Sequence, residues 1–399
     1  MTTPTHPLPV AALLALAMTG FLCIVTETLP AGLLPQIGQD LAVSPSLVGQ
    51  MVTAYALGSL LAAIPLTIAT RGWRRRNVLL LTIVGFLVFN SITALSSHYW
   101  LTIVARFFAG VAAGLAWSLV AGYARRMVAP HQQGRALALA MVGTPIALSL
   151  GVPLGTWLGA WVGWRTAFGI MSLLTLVLIV WVLAKVPDYP GQASHERMPL
   201  RKVFTTPGVR PVLAVVIAWM LAHNMLYTYI APFAAQAGLQ NRIDLVLLTF
   251  GVPALLGIWI TGKLVDRLLR VSVLTSLAVF AAISLIFGLF AHVPAVVFAG
   301  VAIWGLTFGG AATLLQTALA DTAGHGADVA LSMNVVAWNS AIAGSGVLGG
   351  VLLGAWGVGA FPWVLIVLIA IGFSIAWAAR THGFTPGHRS TGKPAVAAH

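Results

Sequence analysis

Acidic side chains are the scarcest chemistry in this chain, with eight Asp and Glu among 399 residues and all charged types together at 7%. A soluble globular domain carries roughly 25% charged residues. That class is excluded, and the 59% of hydrophobic residues points to a protein that lives in a membrane. A single cysteine, Cys23, rules out an intramolecular disulfide; within an apolar run it reads as a small buried hydrophobe. Nothing reads G-x-x-x-x-G-K-[ST], which argues against nucleotide hydrolysis by this chain. Metal-ligand clusters are missing too, so no cofactor is expected. The few acids, bases and nucleophiles inside the apolar runs also argue against a membrane-embedded enzyme, and the lack of a soluble signalling domain argues against a receptor.

What the sequence has instead is long apolar runs. Segments of the ~20 residues that a bilayer core requires fall at about 8–36, 47–69, 77–96, 100–124, 135–160 and 164–184, then at 211–236, 243–265, 271–291, 294–320, 329–357 and 360–380. The stretch KVPDYPGQASHERMPLRKVFTTPGVR, 185–210, is the long polar break between the two sets. This pattern predicts an all-α membrane protein with twelve transmembrane helices in two six-helix bundles, 1–184 and 211–380. A linker at 185–210 joins them, and a tail follows at 381–399.

The net charge of +13 does not mark a nucleic-acid binder, because the cations sit in alternate loops as the positive-inside rule expects. Of the 21 Lys and Arg, all but Arg106, Arg165 and Arg242 fall on the side that holds the linker and both termini. That side is expected to be cytoplasmic. The leading MTTPTHPLPV has no Lys or Arg and the apolar run continues past any cleavage site, so the first span is expected to be retained rather than removed as a signal peptide.

Against this background two charges stand out. Glu27 lies inside LPVAALLALAMTGFLCIVTETLPAGLLPQI and Arg106 inside YWLTIVARFFAGVAAGLAWSLVAGY. A charge at the bilayer centre costs at least ~2.5 to 3.5 kcal/mol, so both are candidates for proton coupling. The first and fourth spans run in opposite directions, and at ~1.5 Å per residue the two groups reach depths that permit contact. A changing distance between them would load and release a proton; a fixed ion pair locking two helices is the structural alternative. His223, with Asn224 beside it and Tyr227 one turn on, offers a proton shuttle or a partner for a hydroxylated solute, or else a helix-to-helix hydrogen bond. Tyr55, Trp117, Trp304, Trp338 and Asn339 are candidates for stacking and hydrogen bonding with a substrate, set against lipid-facing or packing roles among 14 tryptophans.

Two further patterns concern movement. GKLVDRLLR, with Asp266, Arg267 and Arg270, follows the eighth run; LTIATRGWRRRNV, with Arg71, Arg74 and Arg75 and with Thr70 in place of the acid, follows the second. These turns are candidate gates or simple topology signals. In the fifth run Gly143, Ala147, Gly151, Gly155 and Gly159 recur every four residues around Pro145 and Pro153, a small-residue stripe that lets another helix approach closely. Gly346, Gly349 and Gly350 repeat the idea in the eleventh run.

Together these segments resemble the major facilitator superfamily, and within it the twelve-spanning bacterial drug/proton antiporters. ALSLGVPLG, containing Gly151, Pro153 and Gly155, resembles the antiporter motif of span five. LTIVARFFAGVAAG resembles the span-four motif built around an intramembrane arginine, here Arg106, and the two charged turns resemble the superfamily's loop motif. TETLPAGLLPQI, AWSLVAGYARRM, HNMLYTYIAPF and AWNSAIAGSGVLGG resemble sugar-efflux and arabinose-efflux-like permeases, while the first of these is also similar to purine and nucleoside exporters. The resemblance implies a cavity between two pseudo-symmetric halves, lined by spans one, four, seven and ten. It implies proton-driven export of a small organic solute such as a sugar or drug across a bacterial inner membrane, with purine or nucleoside export as the rival. The implied partners are the solute, protons and the lipid bilayer, with the chain acting as a monomer.

Overall fold

The computed structural model describes residues 8–70, 72–129, 136, 139–191 and 200–387. Every run expected to cross a membrane is helical, and no strand occurs among the described residues. Spans 1 to 6 are Val10–Gly32, Pro45–Thr67, Arg75–Leu95, Tyr99–Ala124, Leu139–Val162 and Trp164–Lys185. Spans 7 to 12 are Val209–Thr228, Ile243–Val265, Arg267–Phe290, Pro294–Ala323, Val329–Trp356 and Val358–Ala378. The end of the bundle holding Arg74, Lys185 and Arg270 is termed the linker end, and the opposite one the far end.

Several spans are interrupted. The runs expected at 8–36 and 211–236 are each two helices, because hydropathy does not register a one-residue break. Span 1 stops at Leu33 (φ −110°, ψ 15°), shortly after Pro30, and a second helix covers Leu34–Asp40. Span 7 stops at Tyr229 (φ −108°, ψ 28°) before Ile230–Ala235. In span 5 Pro145 and Pro153 bracket a π-helical turn at Ala147–Gly151, the wide turn that forms when the regular ladder loses donors. Spans 8 and 9 follow each other with a kink at Leu268, the second residue of span 9 (φ −130°, ψ 29°).

The two halves repeat one packing device. A Cβ on Gly110 would strike the Tyr55 carbonyl and one on Gly114 the Ser59 carbonyl, so span 4 lies directly on the span 2 backbone. In the second half Gly305 meets the Phe250 carbonyl and Gly309 that of Ala254, with the same separations along the chain, which lays span 10 on span 8. The halves therefore share a register in which Tyr55 corresponds to Phe250 and Gly110 to Gly305.

Across the halves, span 2 packs along span 11, span 5 against span 8, and span 1 against span 7. Hydrogen bonds joining the halves gather at the far end. Ser46 Oγ donates to the Gly350 carbonyl at 2.9 Å, Gln50 Nε2 to the Gly346 carbonyl at 3.1 Å, and Tyr229 Oη to the Ser46 carbonyl at 3.4 Å, while a 2.7 Å bond from Tyr229 Oη to the Gly346 carbonyl stays within the second half. The span 11 glycines make this approach possible: a Cβ on Gly350 would lie within 2.8 Å of Gln50 Nε2 and Ser46 Oγ. Exposed tryptophans ring both ends, with Trp100, Trp161 and Trp356 at the far end and Trp73, Trp259 and Trp377 at the linker end, the placement of aromatic belts at membrane interfaces.

Candidate transport site

Four spans of the first half converge on Arg106, which is completely buried. Its Nη2 donates to the main-chain carbonyl of Glu27 at 3.2 Å, and its Nε reaches the Met51 carbonyl at 3.4 Å. Its guanidinium carbon lies 4.9 Å from the centre of the Tyr55 ring and 5.6 Å from that of Phe168. Tyr55 is itself fixed by donating to the Cys23 carbonyl at 2.9 Å, and Cys23 sits in a small apolar cluster with Tyr55, Phe86 and Ala113. Arg106 Nη1 has no hydrogen-bond partner. The Glu27 side chain is buried, 7% exposed, yet forms no ion pair among the described residues. Acid and base are neighbours joined through backbone, with their charges unpaired.

In the second half the equivalent region is aromatic rather than charged. Trp304 precedes Gly305 as Ala109 precedes Gly110, and Val301 stands where the first half has Arg106. His223 stacks on Phe308 with centroids 3.3 Å apart and planes at 5°, and lies within 5.6 Å of Tyr227, Phe250 and Trp304. Three polar atoms of this cluster, His223 Nδ1, Tyr227 Oη and Trp304 Nε1, have no partner of regular geometry. Tyr227 Oη nevertheless faces the first half, beside Thr28 and within electrostatic reach of Glu27. The charged cluster of spans 1 and 4 and the aromatic cluster of spans 7 and 10 thus meet where Thr28 faces Tyr227.

The remaining candidates are dispersed around this centre. Trp117 is half-buried, packs on the Cys23 and Tyr55 cluster, and would lie 3.4 Å from a Cβ on Gly20. Trp338 is half-buried in the span 2 and span 11 contact with Val52, Ala56 and Ile342. Asn224 and Asn339 each donate to the carbonyl one turn back on their own helix, at 2.8 and 2.9 Å. Gly151 and Gly155 face span 1: a Cβ on Gly151 would come within 2.8 Å of Phe21 and Val25, and one on Gly155 within 2.9 Å of Leu29. Pro153 lies in the first turn of the helix beyond the wide turn.

At the linker end Arg74 pairs with Asp188, and Arg75 Nη2 donates to the Thr70 carbonyl at 2.7 Å. Arg270 donates to the carbonyls of Ala376, Trp377 and Phe384 at 2.7 to 2.9 Å. Arg267 is exposed. Arg71 and the side chain of Asp266 lie outside the described residues. Sequence reasoning did not single out Thr28, Phe250 and Phe308 at the centre, nor Ser46, Gln50 and Tyr229 at the far end. For the last three the glycines of span 11 were the available signal, since so close an approach needs a partner.

Comparison with known proteins gives the family and the fold. The Major Facilitator Superfamily profile matches residues 16–345, and the chain belongs to that superfamily; it is a transporter of the major facilitator fold. Among its relatives, a protein named purine ribonucleoside efflux pump NepI, from Shigella sonnei (strain Ss046), is 28% identical over 307 residues, covering 75% of this chain and 77% of the relative. A probable sugar efflux transporter from Haemophilus influenzae (strain 86-028NP) is 29% identical over 370 residues, 91% and 90% of the two chains. In fold the chain is similar to the D-xylose-proton symporter, with a TM-score of 0.79 at 16% identity over 93% of this chain and 98% of that one. It is also similar to the human organic anion transporter MFSD10 (TETRAN), with a TM-score of 0.69 at 15% identity over 93% and 100%.

Proposed function

We propose that this protein is a monomeric, proton-coupled exporter of a small polyhydroxylated solute, acting in a bacterial inner membrane with both termini and the 185–210 linker in the cytoplasm. The orientation rests on the distribution of cations, and it makes the far end the outer one. With the halves hydrogen-bonded there through Ser46, Gln50, Tyr229 and the span 11 glycines, the conformation is closed to the outside.

The observation that carries proton coupling is the unfinished contact between Glu27 and Arg106. A guanidinium held by backbone, with Nη1 unpartnered and a buried carboxylate nearby, can exchange its neighbours at small cost as the halves rock. A closed ion pair would have to be broken first, and breaking a buried pair costs about 3–5 kcal/mol. Glu27 carries the proton, Arg106 favours its release, and Tyr227 and Thr28 report its state to the second half. His223, Tyr227 and Trp304 bind the solute together with Tyr55, Trp117, Asn224, Trp338 and Asn339. Three unpartnered buried groups in one cluster would each cost about 1–3 kcal/mol, a penalty that a hydroxylated ligand relieves. The loop arginines and the stripe at Gly151, Pro153 and Gly155 serve the conformational change.

Sugar export is favoured by the breadth of the match to the relative named for it. Purine ribonucleoside export is the second reading, favoured by the other relative's name and by the flat aromatic surface around Trp304. Proteoliposomes under an imposed proton gradient, tested with labelled sugars, purine ribonucleosides and cationic drugs, separate these readings; movement of a solute in the same direction as the protons would contradict export by exchange.

A further inference from the structure

Arg74 and Arg270 occupy one slot of the internal repeat, the arginine three places after Arg71 and Arg267 in the two charged turns. Each also grips the segment that leaves the final span of its own half. Arg270 holds the end of span 12 through three carbonyls, two of them in its last turns, at Ala376 and Trp377. Arg74 holds the exit of span 6, and it does so through the side chain of Asp188.

Asp188 is the centre of a wider attachment. Its second oxygen accepts the Arg76 backbone N–H at 3.2 Å, and the next residue's carbonyl, on Tyr189, accepts the Arg75 N–H at 2.8 Å. From span 4, Tyr123 Oη donates to the Pro187 carbonyl at 2.7 Å and Arg126 Nη1 to the Pro190 carbonyl at 3.1 Å, while the Tyr123 and Tyr189 rings meet edge to face at 5.7 Å. The first residues of the linker are therefore strapped across the turn that joins spans 2 and 3 and the linker-end tips of spans 3, 4 and 6. The first turn has Thr70, with no carboxylate, where the second has Asp266.

We propose that Asp188 is a positioning residue that supplies the carboxylate missing from the first turn, making residues 186–190 part of the first half so that the turn holding the end of span 2 and the tips of spans 3, 4 and 6 move as one body. Rocking of one half against the other transmits force only if each half is stiff. Span 2 carries the contact to span 11, and span 4 carries Arg106. A loosened tip lets these helices shift separately and slows the exchange between conformations, while the central site keeps its affinity.

The test uses the full chain with Cys23→Ala and nitroxide labels at Gly72→Cys and Lys185→Cys. A Cβ on Gly72 would meet nothing within 4 Å, and Lys185 is exposed. Double electron–electron resonance should give one narrow distance in the parent, a broad distribution in Asp188→Asn, and a narrow one again in Asp188→Glu and in the charge-reversed pair Arg74→Asp with Asp188→Arg. In proteoliposomes with labelled inosine, Asp188→Asn should lower turnover several-fold and leave KM within about twofold, and Asp188→Glu should restore it. The inosine assay rests on the transport reading above. A parent that does not carry inosine would count against the nucleoside reading, and the distance distributions would still decide this one. An Asp188→Asn protein with a narrow distance overturns the proposal, as does one whose charge-reversed partner stays broad.

Discussion

At Arg106 the guanidinium holds the Glu27 backbone and leaves Nη1 free of any partner, so one residue both locks span 1 in place and keeps a charge available to its carboxylate. Arg106→Lys should lower gradient-driven transport by at least about tenfold, because a point-like ammonium cannot reach two carbonyls and stack on Tyr55 as a planar fork does; initial rates in vesicles check this. Tyr227→Phe should raise KM more than it lowers turnover if its unpartnered hydroxyl binds solute, and an unchanged KM would remove Tyr227 from the site. Asp188 lies outside the spans, where burial pushes its carboxyl up and the hydrogen bonds from Arg74 and the Arg76 N–H, with their charges, outweigh it and hold it below the usual range. With the folded value depressed, its contribution is fully present above the unfolded value of about 4 and is lost only as pH falls below it. The charged and titratable groups facing it are Arg74, Arg75, Arg76, Tyr123, Tyr189 and Arg126, and with the Asp188 carboxylate ionised throughout, the label distance should stay constant between pH 5 and 8. Glu27 and Arg106 were legible in the sequence because a charge in an apolar run has no background to hide in. Phe250 and Phe308 were not, since an aromatic is unremarkable among 17 phenylalanines, and Asp188 was hidden because its partner lies 114 positions away.

Among the elements, spans 5 and 11 carry the clearest consequences. Gly151→Leu should cripple transport more than surface expression, since even a first side-chain carbon there would come within 2.8 Å of Phe21 and Val25 on the span that carries Glu27; normal transport by this variant would make the stripe passive packing. Gln50→Leu removes the far-end hydrogen bond from Gln50 Nε2 to the Gly346 carbonyl across the halves, worth about 1 kcal/mol. That shifts the ratio of closed to open far end by about fivefold, readable, with Cys23→Ala, as increased labelling by a membrane-impermeant thiol reagent of a cysteine at Thr53, which lies against Gly346 and makes no hydrogen bond. Hydropathy placed all twelve spans, because burial in lipid needs long uninterrupted apolar runs. It missed the stops at Leu33 and Tyr229, because a break of one residue changes backbone angles without changing composition. The small-residue stripes announced close helix contacts but not their partners, since the geometry that matches span 11 to span 2 and span 5 to span 1 is set by the whole bundle.

For the whole molecule the repeat is structural and the chemistry is not. One glycine-on-carbonyl register builds both halves, yet the first places an arginine and a carboxylate at the centre and the second places His223, Trp304 and Tyr227. In the proposed function proton handling falls to the first half and most of the solute site to the second, with Tyr55 and Trp117 contributed from the first and the contact of Thr28 and Tyr227 between them. Orientation is tested by fusing alkaline phosphatase to the C-terminus, which should give no activity if that end is cytoplasmic; strong activity would invert the molecule. The internal repeat was only partly legible beforehand, because the turn at Thr70 has lost its acid and the matching glycines are recognisable only once the helices are laid together. Coupling through Glu27 is what the division of labour between the halves depends on. It is tested by recording solute export and proton movement together, with a pH-sensitive dye in the same vesicles, for the parent and for Glu27→Gln. The parent should move solute against its gradient in exchange for protons, and Glu27→Gln should equilibrate solute passively with no linked proton signal. Gradient-driven export at the parent rate by Glu27→Gln, with the proton signal intact, would rule out Glu27 as the proton carrier.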